Sequence, residues 1–258
     1  MTLRLLTWNI RTGGSGGRLD AVLALLRREA PDILALQELR GLPGAGMREV
    51  AAALGMTPFL ARSLLGQPVA VLVRPPLRIV SWSAVWWRLH HAAAVVVTPT
   101  ADGPVTVVST HLNPFSPSRR LREARRLVAR CRAARGPVLI AGDLNSLDPG
   151  TDHTARLSRL PEQHRRRHLG PDGKADTRAI ARFAAGGFTD LWRAVGEGDG
   201  LTVPTTAGGG EFSDAGMRLD YVLATDSIAA AATRARVIRG DEAEYASDHY
   251  PLAVELDL

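Results

Sequence analysis

Acids, amides and imidazoles recur in this chain where short apolar runs begin or end. Asn9 lies near the end of the run 3–10. Glu38 follows residues 33–36 and Gln37, and His111 closes residues 105–110. Asp143 and Asn145 follow residues 138–141 across Gly142. Asp220 stands at the start of the run 219–224, directly after Leu219 and Arg218, and Asp248 and His249 precede the closing run 252–256. These residue types can hold a hard divalent ion, orient water and stabilise a phosphate. Each is also common in ordinary turns, Asn9 and the Asp143/Asn145 pair above all. It is their repetition at one kind of place that suggests a site.

The stretch 138–145 shows the design. Four apolar residues read as a strand buried on both faces, bounded by Gly142. Alternation along an extended chain would put Asp143 and Asn145 on one side, and the glycine would let a ligand come close. A carboxylate directly after an apolar strand is costly to bury unless it is paired or metal-bound, which singles out Glu38.

These residues need strands to position them, and the chain supplies them. Strands are expected at residues 3–10, 33–36, 69–73, 77–85, 93–98, 105–111, 138–141, 219–224 and 252–256. Apolar residues at helical spacing (Leu19, Val22, Leu23 and Leu26) predict a helix over 18–30, stopped by Pro31-Asp32. Further helices are expected at 47–54, 118–135 and 179–185, the second strongly basic with Leu121, Leu127 and Val128 on its apolar side. The glycines of 13–17 read as a flexible turn, and 146–176 as a long polar loop carrying Arg165, Arg166, Arg167 and His168. His90 and His91 are adjacent, so strand alternation would part them, and they read as structural or surface residues. Trp82, Trp86 and Trp87 read as core or edge packing.

At 258 residues, 45% hydrophobic and 22% charged, the chain fits one globular domain spanning 1–258. It has no internal repeat, no apolar run of membrane-spanning length and no signal-peptide pattern. A single cysteine cannot form an internal disulfide, which fits a reducing compartment, and a cytoplasmic monomer is expected. The net charge is +6, and only one of the 32 Lys and Arg residues, Lys174, is a lysine. Arginine forks suit phosphate. GC-rich coding would give the same composition.

Six motifs then stand in order: Thr7-Trp8-Asn9-Ile10, Gln37-Glu38, Ser109-Thr110-His111-Leu112, Gly142-Asp143-Leu144-Asn145, Arg218-Leu219-Asp220-Tyr221 and Ser247-Asp248-His249. The series resembles the endonuclease/exonuclease/phosphatase (DNase I-like) superfamily over nearly the whole chain. The resemblance implies a four-layered α/β sandwich, two packed and mostly antiparallel sheets flanked by helices. It implies hydrolysis of a phosphate ester with Mg²⁺, or Mn²⁺ in its place. By carry-over, Glu38, Asn9 and Asp248 hold the metal. Asp143, Asn145, His111, His249 and Asp220 are the catalytic set, with His249 paired to Asp220. Arg218 and Trp192 are expected to touch substrate.

Leu39-Arg40 and His111 depart from the Lys, Tyr and Asn of members resembling exonuclease III, which argues against abasic-site repair. The leading expectation is a nuclease acting on DNA or RNA. The alternatives are a phosphatase or phosphodiesterase on a small or lipid-linked phosphate, and a catalytically inactive binding module.

Overall fold

The structure is a computed structural model that describes residues 2–64, 66–134, 136–208 and 215–258. Its strands are β1 (Thr2–Asn9), β2 (Ile33–Gln37), β3 (Thr57–Ala61), β4 (Val69–Val73), β5 (Ser81–Val85), β6 (Ala93–Thr100) and β7 (Gly103–His111). They continue as β8 (Val138–Asp143), β9 (Thr189–Asp190), β10 (Gly196–Glu197), β11 (Asp220–Ala224), β12 (Ala232–Val237) and β13 (Leu252–Asp257). Two mixed sheets result, in the orders β10-β12-β13-β1-β2-β4-β3 and β5-β6-β7-β8-β11-β9.

Side-chain alternation explains the layering. Leu3, Leu5, Ile33, Ala35, Val105, Val107, Leu139, Ala141, Val222 and Val254 all point between the sheets and form one core. Their neighbours Leu6, Trp8, Leu34 and Leu36 point the other way, against helices Leu19–Glu29 and Gly44–Leu54. Val108, Val138 and Ile140 do the same on the second sheet, against helices Pro117–Arg132 and Arg178–Ala184. Strands buried on both faces read as continuous apolar runs, as β2, β4 and β8 do. The expected four-layered sandwich is the observed fold.

Several local expectations change. β3 went unexpected because Pro58 interrupts it; it is an edge strand, where a missing N–H is tolerated. The expected strand over 77–85 is ordered as strand only from Ser81. The glycine-rich turn begins with a short helical turn, Arg11–Gly14, that has left-handed residues inside it. The loop 146–176 is folded, with helices Thr154–Arg159 and Glu162–Arg165 and a 3-10 turn at Arg166–His168. Leu147, Leu157 and Leu160 give it a small core of its own with Val203 and Met217. The basic helix ends at Arg132, and Arg135 lies outside the described residues. Of the core or edge packing expected of Trp82, Trp86 and Trp87, the edge is what is found: they are 63%, 48% and 60% exposed, along or just past the edge strand β5.

Gly142 serves the sheet and not a ligand. Its φ is +149°, and a Cβ there would stand 1.8 Å from the carbonyl oxygen of Thr110 on the adjacent β7.

Candidate active site

The alternation that fills the core also builds the site. In β1, β2, β7 and β8 the inward positions are apolar until the last turn of the pleat, and there they become polar; β11, antiparallel to β8, begins with its polar residue, Asp220. Thr7, Gln37 and Ser109 form the lower tier: Gln37 Nε2 donates to Thr7 Oγ1 (3.2 Å) and to Ser109 Oγ (3.1 Å), tying the two sheets together. Above them stand Asn9 from the first sheet and His111, Asp143 and Asp220 from the second, all buried. Both sheets place a parallel pair here, β1 beside β2 and β7 beside β8, so four strands end at the same level.

Asp143 is the hub. Its Oδ2 accepts from Asn9 Nδ2 (3.1 Å) and lies 3.3 Å from His111 Nε2 and 3.8 Å from His249 Nε2. Asn9 Nδ2 also donates to Glu38 Oε1 (3.1 Å), carrying the network across to β2. His249 Nδ1 stands 2.8 Å from Asp220 Oδ2. Two bonds hold the closing segment over β1: Trp8 Nε1 donates to the His249 carbonyl (2.7 Å), and Ser247 Oγ donates to the Asn9 carbonyl (2.6 Å).

Asn145 joins by a different route from the one expected. β8 ends at Asp143, and Asn145 has a left-handed φ of +48°. Asp143 Oδ1 accepts from the Asn145 backbone N–H (2.9 Å), so a turn, not strand alternation, brings the two together. Asn145 Nδ2 donates to the Leu112 carbonyl (3.2 Å), which fixes the amide's orientation and leaves His111 Nε2 to accept from it at 3.0 Å.

Burial sets the charges. It pushes the Asp143 carboxyl well up, reinforced by the Asp220 carboxylate and opposed by His249. It holds His111 well below the usual histidine range, with His91 and His249 adding to the effect, so His111 is neutral. His249 resists the same burial: Asp220 and Asp143 outweigh it and raise the imidazole well above its ordinary value. The site thus contains a neutral imidazole, an imidazolium and a carboxyl pushed up to about 7.

The model of the "Endonuclease/Exonuclease/phosphatase family" matches residues 6–249. The chain belongs to this family. Its members are phosphoesterases, so the chain is assigned to that class of hydrolase. Among solved structures, the chain is similar to an endonuclease/exonuclease/phosphatase from Bacteroides vulgatus, with TM-score 0.76 and 14% identity over 100% of this chain and 99% of that one. It is similar to humanized D. rerio TDP2, with TM-score 0.71 and 16% identity over 100% and 99%. It is also similar to a mannosyl-6-phosphatase from Bacteroides thetaiotaomicron VPI-5482, with TM-score 0.69 and 16% identity over 99% and 100%. At these identities the likeness shows the fold. No curated protein sequence matches the chain.

The family implies a divalent metal, and two groups of residues are available for it. Asp143, Asp220 and His249 bring potential ligand atoms within 4.8 Å of one another. Yet His249 Nδ1 is already bonded to Asp220, and an ion there would have to break that bond. The second group is Glu38, Asn9 and Asp248, whose side-chain oxygens suit Mg²⁺ or Mn²⁺ better than imidazole does. The Glu38 carboxylate is half-buried and left-handed in backbone (φ +59°), and it accepts from the Thr12 backbone N–H and Gln67 Nε2 (both 3.2 Å). Asn9 Oδ1 accepts from the Arg11 backbone N–H (3.0 Å), and Asp248 stands 3.5 Å from Arg11.

Arg218 and Trp192, expected to touch substrate, are held in contacts of their own. The Arg218 guanidinium is buried, paired with Asp190 (2.6 Å) and Asp148 (3.4 Å). It lies over the rings of Tyr221 (4.4 Å) and Trp192 (5.0 Å), and Trp192 packs against the inter-sheet core. Four residues absent from the sequence-based set do enter the site: Gln37, Gln67, His91 and Ser247. The His91 ring is buried and stacks on His111 at 4.0 Å, while its Nδ1 accepts from the Gln67 backbone N–H (2.7 Å). His91 precedes β6 and is not in a strand, so the alternation that set it aside does not apply. The adjacent histidine pair was its signal.

Proposed function

We infer that this protein is a divalent-metal-dependent phosphodiesterase whose substrate is nucleic acid. The observation that carries the hydrolase chemistry is the network converging on Asp143, which joins Glu38 and Asn9 of one sheet to His111, His249 and Asp220 of the other. The substrate assignment rests on the net charge of +6, carried almost wholly by arginine.

Glu38 and Asn9, with Asp248, would hold Mg²⁺ or Mn²⁺. When bound, the ion polarises the phosphate and neutralises charge developing on it. Asp143, its carboxyl pushed up to about 7 and so able to hold a proton, gives it to the leaving oxygen as the P–O bond breaks and the oxygen of water bonds to phosphorus. The spent water restores that proton. His249 carries positive charge against the phosphoryl oxygens, and Asp220 fixes its tautomer and its orientation. Asn145 and the neutral His111 set the position of Asp143 and offer polar contacts to the phosphate.

The mannosyl-6-phosphatase on the same fold names the rival class, a phosphatase acting on a small phosphate. The test is hydrolysis of single-stranded oligonucleotide, plasmid DNA, bis-p-nitrophenyl phosphate and a sugar phosphate, with Mg²⁺, with Mn²⁺ and with EDTA. Metal-dependent cleavage of nucleic acid that His249→Ala abolishes supports the assignment. Turnover of the sugar phosphate with nucleic acid untouched overturns it.

A further inference from the structure

Beside the site lies a groove of about 640 Å³, within the range of about 300–1,000 Å³ typical of ligand clefts. Arg88, Arg119, Arg122, Arg125 and Arg126 line it, four of them from helix Pro117–Arg132. All five are exposed, and none has a carboxylate partner among the described residues. Several arginines elsewhere are paired with acids: Arg28 with Glu242, Arg178 with Asp176, Arg234 with Glu197 and Arg239 with Asp199. The lone acid in the groove wall, Glu123, is buried, and its oxygens accept from the backbone N–H groups of His90 and Asn113 (both 2.7 Å).

Asn113 gives the groove a second, independent mark. It is fully buried, and its Oδ1 accepts from the backbone N–H groups of Phe115 (2.9 Å) and Ser116 (2.8 Å). Those bonds fix the amide of this groove-lining residue and leave its Nδ2 buried, with no hydrogen-bond partner among the described residues. A buried donor without an acceptor costs stability unless something fills its place. Arg120, also buried, anchors the Asn113 carbonyl at 3.0 Å and so sets the turn.

The groove adjoins the active site directly. Asn113 is two residues beyond His111. On the other wall, the His90 ring lies 4.5 Å from His91, which stacks on His111. At the mouth, Phe115 is 59% exposed, with His90 at its edge (5.8 Å) and the Arg167 guanidinium 5.5 Å from its ring.

We propose that this groove is a subsite for single-stranded nucleic acid. It holds the strand that flanks the scissile bond: Arg119, Arg122 and Arg126 take backbone phosphates, Asn113 Nδ2 donates to a phosphate or base oxygen, and an unpaired base stacks on Phe115. Arginines without partners explain attraction to a polyanion, while an exposed aromatic ring next to them selects unpaired bases, whose faces a duplex hides. The inference rests on the nuclease assignment above and narrows it to single strands.

The test is binding of a fluorescein-labelled single-stranded oligothymidylate in EDTA, which blocks turnover, across about 50 to about 200 mM salt. The variants are Arg122→Ala/Arg126→Ala, Phe115→Ala and a control that removes equal charge elsewhere, Arg27→Ala/Arg48→Ala on the helices of the other face. Thermal midpoints confirm folding. The groove pair is expected to flatten the slope of log Kd against log salt by about 1.4, some 0.7 for each lost phosphate contact. The control pair leaves the slope unchanged, and Phe115→Ala weakens binding roughly tenfold. If wild type cleaves oligonucleotide but the groove pair behaves as the control does, the groove inference falls and the nuclease assignment stands. If duplex of the same length binds as tightly as single strand, the single-strand claim is overturned. If wild type neither binds nor cleaves oligonucleotide but turns over a sugar phosphate, both readings fall. Sedimentation with phosphatidylserine vesicles in place of oligonucleotide binding would reassign the arginines to a membrane surface and overturn the proposal.

Discussion

Replacing Asp220 with Asn is the sharpest perturbation of the proposed chemistry. The Asp220 side chain is wholly buried, and Oδ2 stands 2.8 Å from His249 Nδ1. A carboxylate and an imidazolium at that distance attract by about 6 kcal/mol at an effective dielectric of about 20, in the direction that raises the His249 imidazole. Asn keeps the shape and one acceptor but removes the charge. His249 then loses its cationic form and the partner that fixes its tautomer, at a cost of about 10²- to 10⁴-fold in kcat, by analogy with the same change in other carboxylate–imidazole pairs. Asp220 Oδ1 has no partner among the described residues, so an amide N–H₂ placed there is a buried, unsatisfied donor, and stability should fall by about 1–3 kcal/mol. The assay is steady-state hydrolysis of bis-p-nitrophenyl phosphate with saturating Mg²⁺, paired with urea melts to find conditions where both proteins are folded. KM should change little, because the charge acts mainly as the transition state forms. A folded Asp220→Asn protein with kcat within about threefold of wild type would refute the argument, since a loss of about 6 kcal/mol of pairing could not then bear on the reaction.

Glu38→Gln should lower activity by at least about 10²-fold and raise the Mg²⁺ concentration for half-activity, read by metal titration; an unchanged titration curve would remove Glu38 from the ion's ligands. Gly142→Ala should destabilise the fold by several kcal/mol on the scale of about 1–3 kcal/mol for ordinary overpacking, because the new Cβ meets the Thr110 carbonyl 1.8 Å away; an unshifted thermal midpoint would contradict this. Burial pushes the Glu123 carboxyl up to about 7, against its two backbone donors and the Arg120 charge. The folded state therefore holds this proton more tightly than the unfolded one. Its stabilisation is full below the unfolded value of 4.5 and is lost as pH rises to about 7, a fall of about 3 kcal/mol. Urea melts from pH 5 to 8 should show that slope in wild type and a flatter one in Glu123→Gln; equal slopes in the two would assign it to another group.

The strands that end in chemistry were legible because period-2 alternation and apolar runs are local. Leu139-Ile140-Ala141 followed by Gly142-Asp143 can be read as a buried strand with a polar end without knowing its neighbours. What lay across the strand could not be read so. Gly142 is needed because β7 crowds it, and β7 is distant in sequence. Arg218 stands next to Leu219-Asp220 in sequence, and nothing local shows what its guanidinium meets. Its partners, Asp148 and Asp190, come from a loop and from β9, which only the fold brings together. The same holds for Asn145, where a left-handed turn replaced alternation, and for His91, whose role depends on stacking with a residue of another strand.

The arrangement also accounts for why the site lies at this end of the sandwich. Antiparallel neighbours carry their C-terminal ends to opposite edges, so a purely antiparallel sheet brings few strand ends to one level. Here each sheet carries a parallel pair at its centre, and both pairs finish on the same edge. Asn9 and Gln37 leave one sheet where His111 and Asp143 leave the other. The apolar core between the sheets stops there, and a carboxyl-terminal edge is where α/β proteins collect ligand-binding groups. The Asn9–Asp143 bond at 3.1 Å is therefore both a seam of the fold and a member of the site. Asn9→Ala separates the two roles: it should lower activity by more than tenfold, while its stability cost stays near the 1–3 kcal/mol of one buried acceptor left unpaired. A larger loss of stability with activity retained at low temperature would make Asn9 a seam alone.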